Sequence, residues 1–186
     1  RQGTRLLEFS GKKVLVTGNT GFKGAWLATW LKELGAEVFG LSVGIPTETS
    51  LFSELEKSMK ISTAWLDVCD TTEVTALLEA ESPDFIFHLA AQPIVSKSFS
   101  EPFETWKTNT LGSVSVLEAV RLSELSNLSV VMITSDKVYK NNEWAWGYRE
   151  TDELGGDDPY SASKAGAELA VRSYHSSGLF GPRDIR

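Results

Sequence analysis

Short apolar runs alternate along the chain with longer stretches in which apolar residues return every three or four positions. The runs predict strands at residues 13–17, 37–41, 61–66, 85–89 and 129–133. Helical spacing predicts a helix over 24–34 through Leu27, Trp30, Leu31 and Leu34, and another over 72–81 through Val74, Leu77 and Leu78. A long helix over 102–122 carries Trp106, Leu111, Val114, Leu117 and Val120; a further helix covers 160–174, and the segment running to Lys60 reads as a short one. Gly35 is placed to stop the first helix and Asp70 to cap the third, while Pro83 breaks the chain before the fourth strand. On this spacing most of the six tryptophans fall in the core; Trp144 and Trp146, in a loop, could instead line a sugar or base pocket.

Strict alternation of strand and helix predicts an α/β fold, a Rossmann-like doubly wound parallel sheet with helices on both faces. Ligands of such sheets lie at the carboxyl ends of the strands, here the loops 18–24, 42–50, 67–70, 90–98 and 134–158. Residues 1–12 are polar without a period and read as a leader, leaving 13–186 as one domain. After the helix at 160–174 the chain runs through a loop into Ile185, where a sheet of this kind would continue, so an N-terminal part of a longer protein is expected, cut before its substrate-binding region.

Composition narrows the function. The 186 residues carry a formal net charge of -7 with acids and bases interspersed, which argues against a nucleic-acid surface. A polyanionic ligand would need backbone amides and a few placed cations. One cysteine, Cys69, excludes an internal disulfide and suits a reducing cytoplasm. The two histidines, His88 and His175, are far apart with no second ligand at metal spacing, so no metal is expected, and His88 at the end of a buried strand reads as a core histidine. No apolar run has the roughly 18 residues of a membrane span.

The stretch Thr17-Gly-Asn-Thr-Gly-Phe-Lys-Gly24 joins the first strand to the first helix. Its glycines, Gly18, Gly21 and Gly24, form GxxGxxG, wider than the GxGxxG fingerprint. Glycines there allow a tight turn and close approach of a pyrophosphate to the positive end of the helix, although such a turn can also only pack. A second signal is Tyr160-x-x-x-Lys164, which puts a phenol and an ammonium on one helical face. An ammonium nearby favours the phenolate, drawing a tyrosine down from about 10 toward neutrality, where it can act as general acid and base.

Together these motifs resemble the extended short-chain dehydrogenase/reductase superfamily. The likeness extends through Asp67-Val68, His88-Leu-Ala-Ala-Gln92, Asn109 and Thr134-Ser-Asp-Lys-Val-Tyr139. Within the superfamily the chain is similar to the CDP-glucose 4,6-dehydratases, through Ala90-Ala-Gln-Pro93, Asp136-Lys137, the Trp144 to Glu150 stretch and Gly155-Gly-Asp-Asp-Pro-Tyr160. The dTDP-glucose enzymes carry Asp-Glu where this chain has Asp136-Lys137, and epimerases generally lack the acid.

The resemblance implies a hydro-lyase of deoxysugar biosynthesis, such as that of the lipopolysaccharide O-antigen, acting on CDP-glucose through bound NAD. Tyr160, Ser135 and Lys164 would serve oxidation at C4, and Asp136 and Lys137 the elimination across C5 and C6. It further implies cofactor contacts from Gly18, Thr20, Gly21, Phe22, Lys23, Gly24, Ser42, Asp67 (at the adenine edge), Val68, Leu89, Ala90, Ala91, Asn109, Thr134, Tyr160 and Lys164. The chain departs from the family at Leu41-Ser-Val-Gly44, which holds neither the acid that grips the ribose of NAD nor an arginine for a 2'-phosphate. NAD is expected for want of that cation, with Ser42 and Thr47 as weaker ribose contacts. Relatives pair through two helices, so a homo-oligomer, dimer or tetramer, is implied. A dTDP-glucose dehydratase, a nucleotide-sugar epimerase and an inactive cofactor-binding fragment are the alternatives, since in this superfamily the nucleotide of the substrate is held mostly by residues beyond 186.

Overall fold

A computed structural model describes residues 8–59 and 61–186. Its parallel strands are β1 (Lys13–Thr17), β2 (Glu37–Ser42), β3 (Ser62–Trp65), β4 (Phe85–His88) and β5 (Ser129–Met132), in the order β3-β2-β1-β4-β5. The helices are α1 (Phe22–Glu33), α2 (Leu51–Met59), α3 (Thr71–Glu81), α4 (Val95–Ser100), α5 (Pro102–Trp106), α6 (Gly112–Leu122) and α7 (Pro159–Ser176). The order of strands reverses beside β1, whose carboxyl end faces the crevice between β2 and β4.

Val14, Leu15 and Val16 read as an unbroken apolar run because β1 is covered on both faces. Leu15 joins Leu41, Ile86, Val116, Val120 and Leu128 on one side, and Val14 and Val16 join Ala28, Leu31 and Val38 on the other. Asp70 caps α3 by accepting from the Glu73 amide at 3.1 Å, and Gly35 follows α1 with a φ of 85°, a left-handed stop.

The tryptophans depart from the sequence expectation. Trp26 and Trp30 are 56% and 62% exposed, because the face that α1 turns to the sheet is made of Gly24, Ala25, Ala28 and Leu31. The helix sits too close to the turn before it for an indole to fit between. Trp65, Trp106 and Trp146 are exposed as well.

The long helix expected over 102–122 is interrupted by a π-helical turn at Lys107–Leu111, between α5 and α6. Around this turn Trp106 and Leu111 face outward while Thr105, Asn109 and Ser113 face inward. Helix α4 was legible only as loop, being six residues of mostly polar sequence.

The expected leader falls partly on residues 1–7, outside the described residues. Residues 8–12 form a turn against the sheet, where the Phe9 ring lies 5.1 Å from that of Phe85 and the Gly11 amide bonds to the Gly35 carbonyl. At the other end Ile185 makes a parallel bridge to Leu128 at the open edge of β5.

The closest backbone approach is inside the glycine turn. A Cβ on Gly24 would lie 2.0 Å from the Gly18 carbonyl oxygen, and one on Gly18 would lie 2.8 Å from the Ala90 amide nitrogen. Gly24→Ala is therefore expected to cost about 3 kcal/mol, as overpacking does where backbone must move. Urea unfolding followed by circular dichroism measures it; parental stability would mean the turn is looser than this geometry.

Candidate active site at the carboxyl ends of the strands

The turn between β1 and α1 leaves the first amides of α1 without a side-chain cap and without an acid in the first turn. Gly21 is the N-cap in extended conformation, and Lys23 is the only charge there. Open amides, an approaching glycine backbone and a cation are what a pyrophosphate requires, so these residues fit a dinucleotide. The side chains of the turn serve the fold instead. Buried Asn19 lies over Gly40, donating to Thr63 at 2.9 Å and accepting from Ser42 at 2.9 Å, and Thr20 donates to the Gly44 carbonyl at 2.7 Å.

This arrangement bears on the ribose. The Ser42 hydroxyl is buried on Asn19 and does not point out of the crevice as the ribose contact expected of it requires. Thr47 lies on the exposed loop and bonds to the Thr49 carbonyl.

Asp67 and Val68 follow β3. Burial alone would raise the Asp67 carboxyl, but the Cys69 amide and the Lys107 ammonium hold it below its ordinary range. It stays partly exposed at the crevice, whereas Val68 is buried. The Cys69 thiol is pushed up to about 11 by burial and by Asp67, so it stays protonated.

Leu89, Ala90 and Ala91 line the end of β4, where the Ala90 amide donates to the Thr17 hydroxyl at 3.2 Å. His88 is buried with Thr17 2.8 Å from Nδ1 and Ser113 3.3 Å from Nε2; burial, with the Lys164 charge, pushes it down to about 3. Asn109 sits in the π turn, fully buried. It accepts from the Gln92 amide at 2.8 Å and donates to the Gln92 carbonyl at 3.2 Å and to the Ser163 hydroxyl at 2.9 Å. With its whole amide engaged by protein, Asn109 acts through what it holds and not as the cofactor contact expected of its side chain.

After β5 comes the turn that carries Ser135, Asp136 and Lys137. Ser135 opens a short 3-10 turn, Asp136–Val138, accepting from the Lys137 amide at 3.2 Å and donating to the Asp136 carboxylate at 3.1 Å. Asp136 and Lys137 are exposed at the mouth of the crevice. Helix α7 faces them. Asp158 caps it through the Ser161 amide and hydroxyl, which outweigh burial and keep the Asp158 carboxyl below its ordinary range.

Tyr160 stands in the first turn of α7, and Lys164, one turn on, donates to the Ile133 carbonyl at 3.1 Å. Burial, and then the charge of Lys23, push the Lys164 ammonium down to about 8. Lys164 thus ties the face carrying Tyr160 to the strand end from which Ser135 emerges.

Sequence reasoning missed Glu168, which accepts a short hydrogen bond from Thr134 and so anchors the residue before Ser135. Its signal was present as a third polar residue at the spacing of Tyr160 and Lys164. In the loop between β5 and α7, Tyr139, Tyr148, Trp144 and Trp146 form a ladder of rings 5.3 to 5.4 Å apart. Among the described residues no helix is long and apolar enough to cross a membrane, and no three or more metal-ligating side chains gather.

Comparison with known proteins gives this geometry its family. The sequence model of GDP-mannose 4,6 dehydratase matches residues 15–180. The chain belongs to the GDP-mannose 4,6 dehydratase family. In it, the CDP-glucose 4,6-dehydratase of Salmonella typhimurium is 44% identical over 94% of this chain and 48% of its own length. The dTDP-glucose 4,6-dehydratase of the same organism is 27% identical over 87% of this chain and 50% of its own. The chain spans about half the length of the curated relatives it matches.

Among solved structures, the dTDP-glucose 4,6-dehydratase of Streptomyces venezuelae with NAD bound superposes with a TM-score of 0.79 at 25% identity, covering 94% of this chain and 54% of its own. The UDP-glucose 4-epimerase of Thermus thermophilus in complex with NAD gives 0.76 at 28%, covering 89% and 51%. The Rossmann-like parallel sheet and the nucleotide-sugar family are thereby established for this chain.

His88 gives the site a measurable acid dependence. Its folded pKa lies below the unfolded value of 6.5, so the unfolded chain takes up a proton that the folded one refuses, and stability falls as pH falls below neutrality. From pH 7.5 to pH 5 this one group should remove about 2 kcal/mol, read from urea unfolding at the two pH values. Equal stability at both would mean that His88 is protonated, or accessible, in the folded state.

Proposed function

We propose that this chain is the NAD-binding and catalytic half of a nucleotide-sugar 4,6-dehydratase that converts CDP-glucose to CDP-4-keto-6-deoxyglucose. The observation that carries the reading is the junction of two chemistries at one strand end. Lys164 bonds to the carbonyl of Ile133, the residue after β5, and the exposed Asp136-Lys137 pair follows directly on Thr134 and Ser135. Identity of 44% to a CDP-glucose 4,6-dehydratase supports the choice of nucleotide.

NAD, when bound, would accept a hydride at C4 of the hexose and return it at C6, so that none is consumed. Tyr160 takes the proton of the C4 hydroxyl as general base, and Ser135 donates a hydrogen bond to the same oxygen. Lys164, with its ammonium pushed down to about 8, supplies the adjacent charge that favours phenolate and reaches the nicotinamide ribose. A C4 ketone acidifies the C5 proton; Asp136 and Lys137 then remove that proton and protonate the departing C6 hydroxyl between them. A carboxylate and an ammonium that are neighbours in sequence suit that division of labour.

Gly18, Gly21 and Gly24 with the amides of Phe22 and Lys23 hold the pyrophosphate, and Asp67 receives the adenine edge. With Ser42 turned inward, the ribose is held less by an acid than by this turn. The faces of α4 to α6 and of α7 expose Phe99, Phe103, Trp106, Leu111 and Leu169, an apolar surface suited to a homodimer. The chain alone is expected to bind NAD without turnover.

Two assays use a protein of full family length carrying this chain. Given CDP-, dTDP- or UDP-glucose, it should release a 4-keto-6-deoxy product from CDP-glucose alone; product from dTDP-glucose instead would sink the substrate assignment. Lys137→Met should slow elimination by about 100-fold while reduced cofactor accumulates. Parental turnover would remove Lys137 from the chemistry.

A further inference from the structure

The dinucleotide turn and the Tyr160 helix are on different segments, yet a line of buried polar groups connects them. It starts at Thr17, immediately before Gly18, and passes through His88 at the end of β4, then Ser113 on α6, Asn109 in the π turn and Ser163 on α7. The Ser163 hydroxyl ends it by donating to the Tyr160 carbonyl at 2.7 Å. Thr17, His88, Ser113, Asn109 and Ser163 are all buried.

Counting hydrogens fixes the direction of every bond. Ser113 has one hydroxyl hydrogen, and it goes to the Asn109 carbonyl at 2.7 Å. Toward His88 its oxygen can therefore only accept, so Nε2 carries the proton. Nδ1 is then an acceptor, and the Thr17 hydroxyl donates to it at 2.8 Å while accepting from the Ala90 amide. No other tautomer leaves all four groups satisfied, and an unsatisfied buried group costs about 1–3 kcal/mol.

The chain of contacts ends at both sides of the cofactor crevice. On one side it bonds Thr17 and Ala90, which flank Gly18 at its closest approach. On the other it fixes the π turn, whose Asn109 amide clamps Gln92 and Ser163. Ser113, just past the π turn, bonds back to the carbonyl of Asn109 within it.

We propose that His88, held as the neutral Nε2–H tautomer, is a positioning residue that couples the dinucleotide turn to the Tyr160 helix through Ser113, Asn109 and Ser163. It touches neither cofactor nor substrate. Its role is to keep the distance between the glycine turn and Tyr160 constant, on which hydride and proton transfer at one carbon depend.

The tautomer is read on this chain itself by long-range proton–nitrogen spectroscopy of the imidazole, with His175 replaced to assign the signals. Protonated Nε2 and bare Nδ1 at pH 7 are expected; the reverse pattern, or averaging of the two, overturns the assignment. Ser113→Ala should average the tautomers and shift the amide signals of Tyr160 and Ser163, whereas Ser113→Thr, which restores the hydroxyl, should match the parent.

The kinetic arm rests on the dehydratase reading and uses the protein of full family length. Ser113→Ala should lower kcat at least about tenfold with KM for the nucleotide sugar and affinity for NAD within about twofold, and Ser113→Thr should recover it. Should Ser113→Ala not fold, Ser163→Ala tests the far end of the line, with the same loss of kcat and an unchanged His88 tautomer. Parental kcat in the alanine variants, or a loss that threonine does not recover, overturns the coupling. A parent that turns over no nucleotide sugar would sink the dehydratase reading alone, and the spectra would still decide the tautomer and its reach to Tyr160.

Discussion

The structure depends on one backbone contact, the seating of the amino end of α1 on the carbonyl of Gly18. Neither residue there has a side chain, and a single methyl at Gly24 would occupy the space of that oxygen. This closeness has two consequences. It forces the sheet-facing side of α1 to be built from Gly24, Ala25 and Ala28, which drives Trp26 and Trp30 into solvent. It also leaves the first amides of the helix open at the carboxyl end of β1, with Lys23 as the nearby charge. The same geometry thus shapes the core and leaves open amides that suit an anion.

Around that contact the protein uses buried polar groups where a simpler core would be apolar. Asn19, Ser42 and Thr63 tie the turn to β2 and β3, and Thr17, His88 and Ser113 tie it to β4 and α6. Each group is satisfied, so these links restrict geometry without the penalty of an unpaired polar atom. The turn after β5 is held likewise: Glu168 fixes Thr134, and Lys164 fixes the carbonyl of Ile133. Desolvation from the same packing pushes Lys164 down and keeps His88 uncharged.

Much of this was legible in the sequence. Alternating apolar runs marked all five strands to within a residue or two, since buried parallel strands leave continuous signals, and the glycine spacing with Tyr160 and Lys164 marked the turn before α1 and the first turns of α7 that border the candidate site. The tryptophans misled because periodicity identifies a face without saying how near its neighbour lies. The π turn was hidden because inserting one residue into a helix leaves no compositional trace, and the inward positions around it, Thr105, Asn109 and Ser113, are polar and so outside the apolar spacing that marks a buried face. Ser42 was read as a ribose contact for lack of an acid. Its inward turn follows from Asn19, whose side chain occupies the space over Gly40, a long-range contact that local sequence does not encode.

The function proposed for this chain requires the open amides beside Gly18 to hold a dinucleotide pyrophosphate. Titrating the isotopically labelled chain with NAD, and following its backbone amide resonances, tests this most directly. Saturable shifts should be largest at Gly21, Phe22, Lys23 and Gly24, extend to Ala90, and be absent from the outer face of α1. Saturable binding that leaves those amides unmoved, or no binding at all, would contradict it.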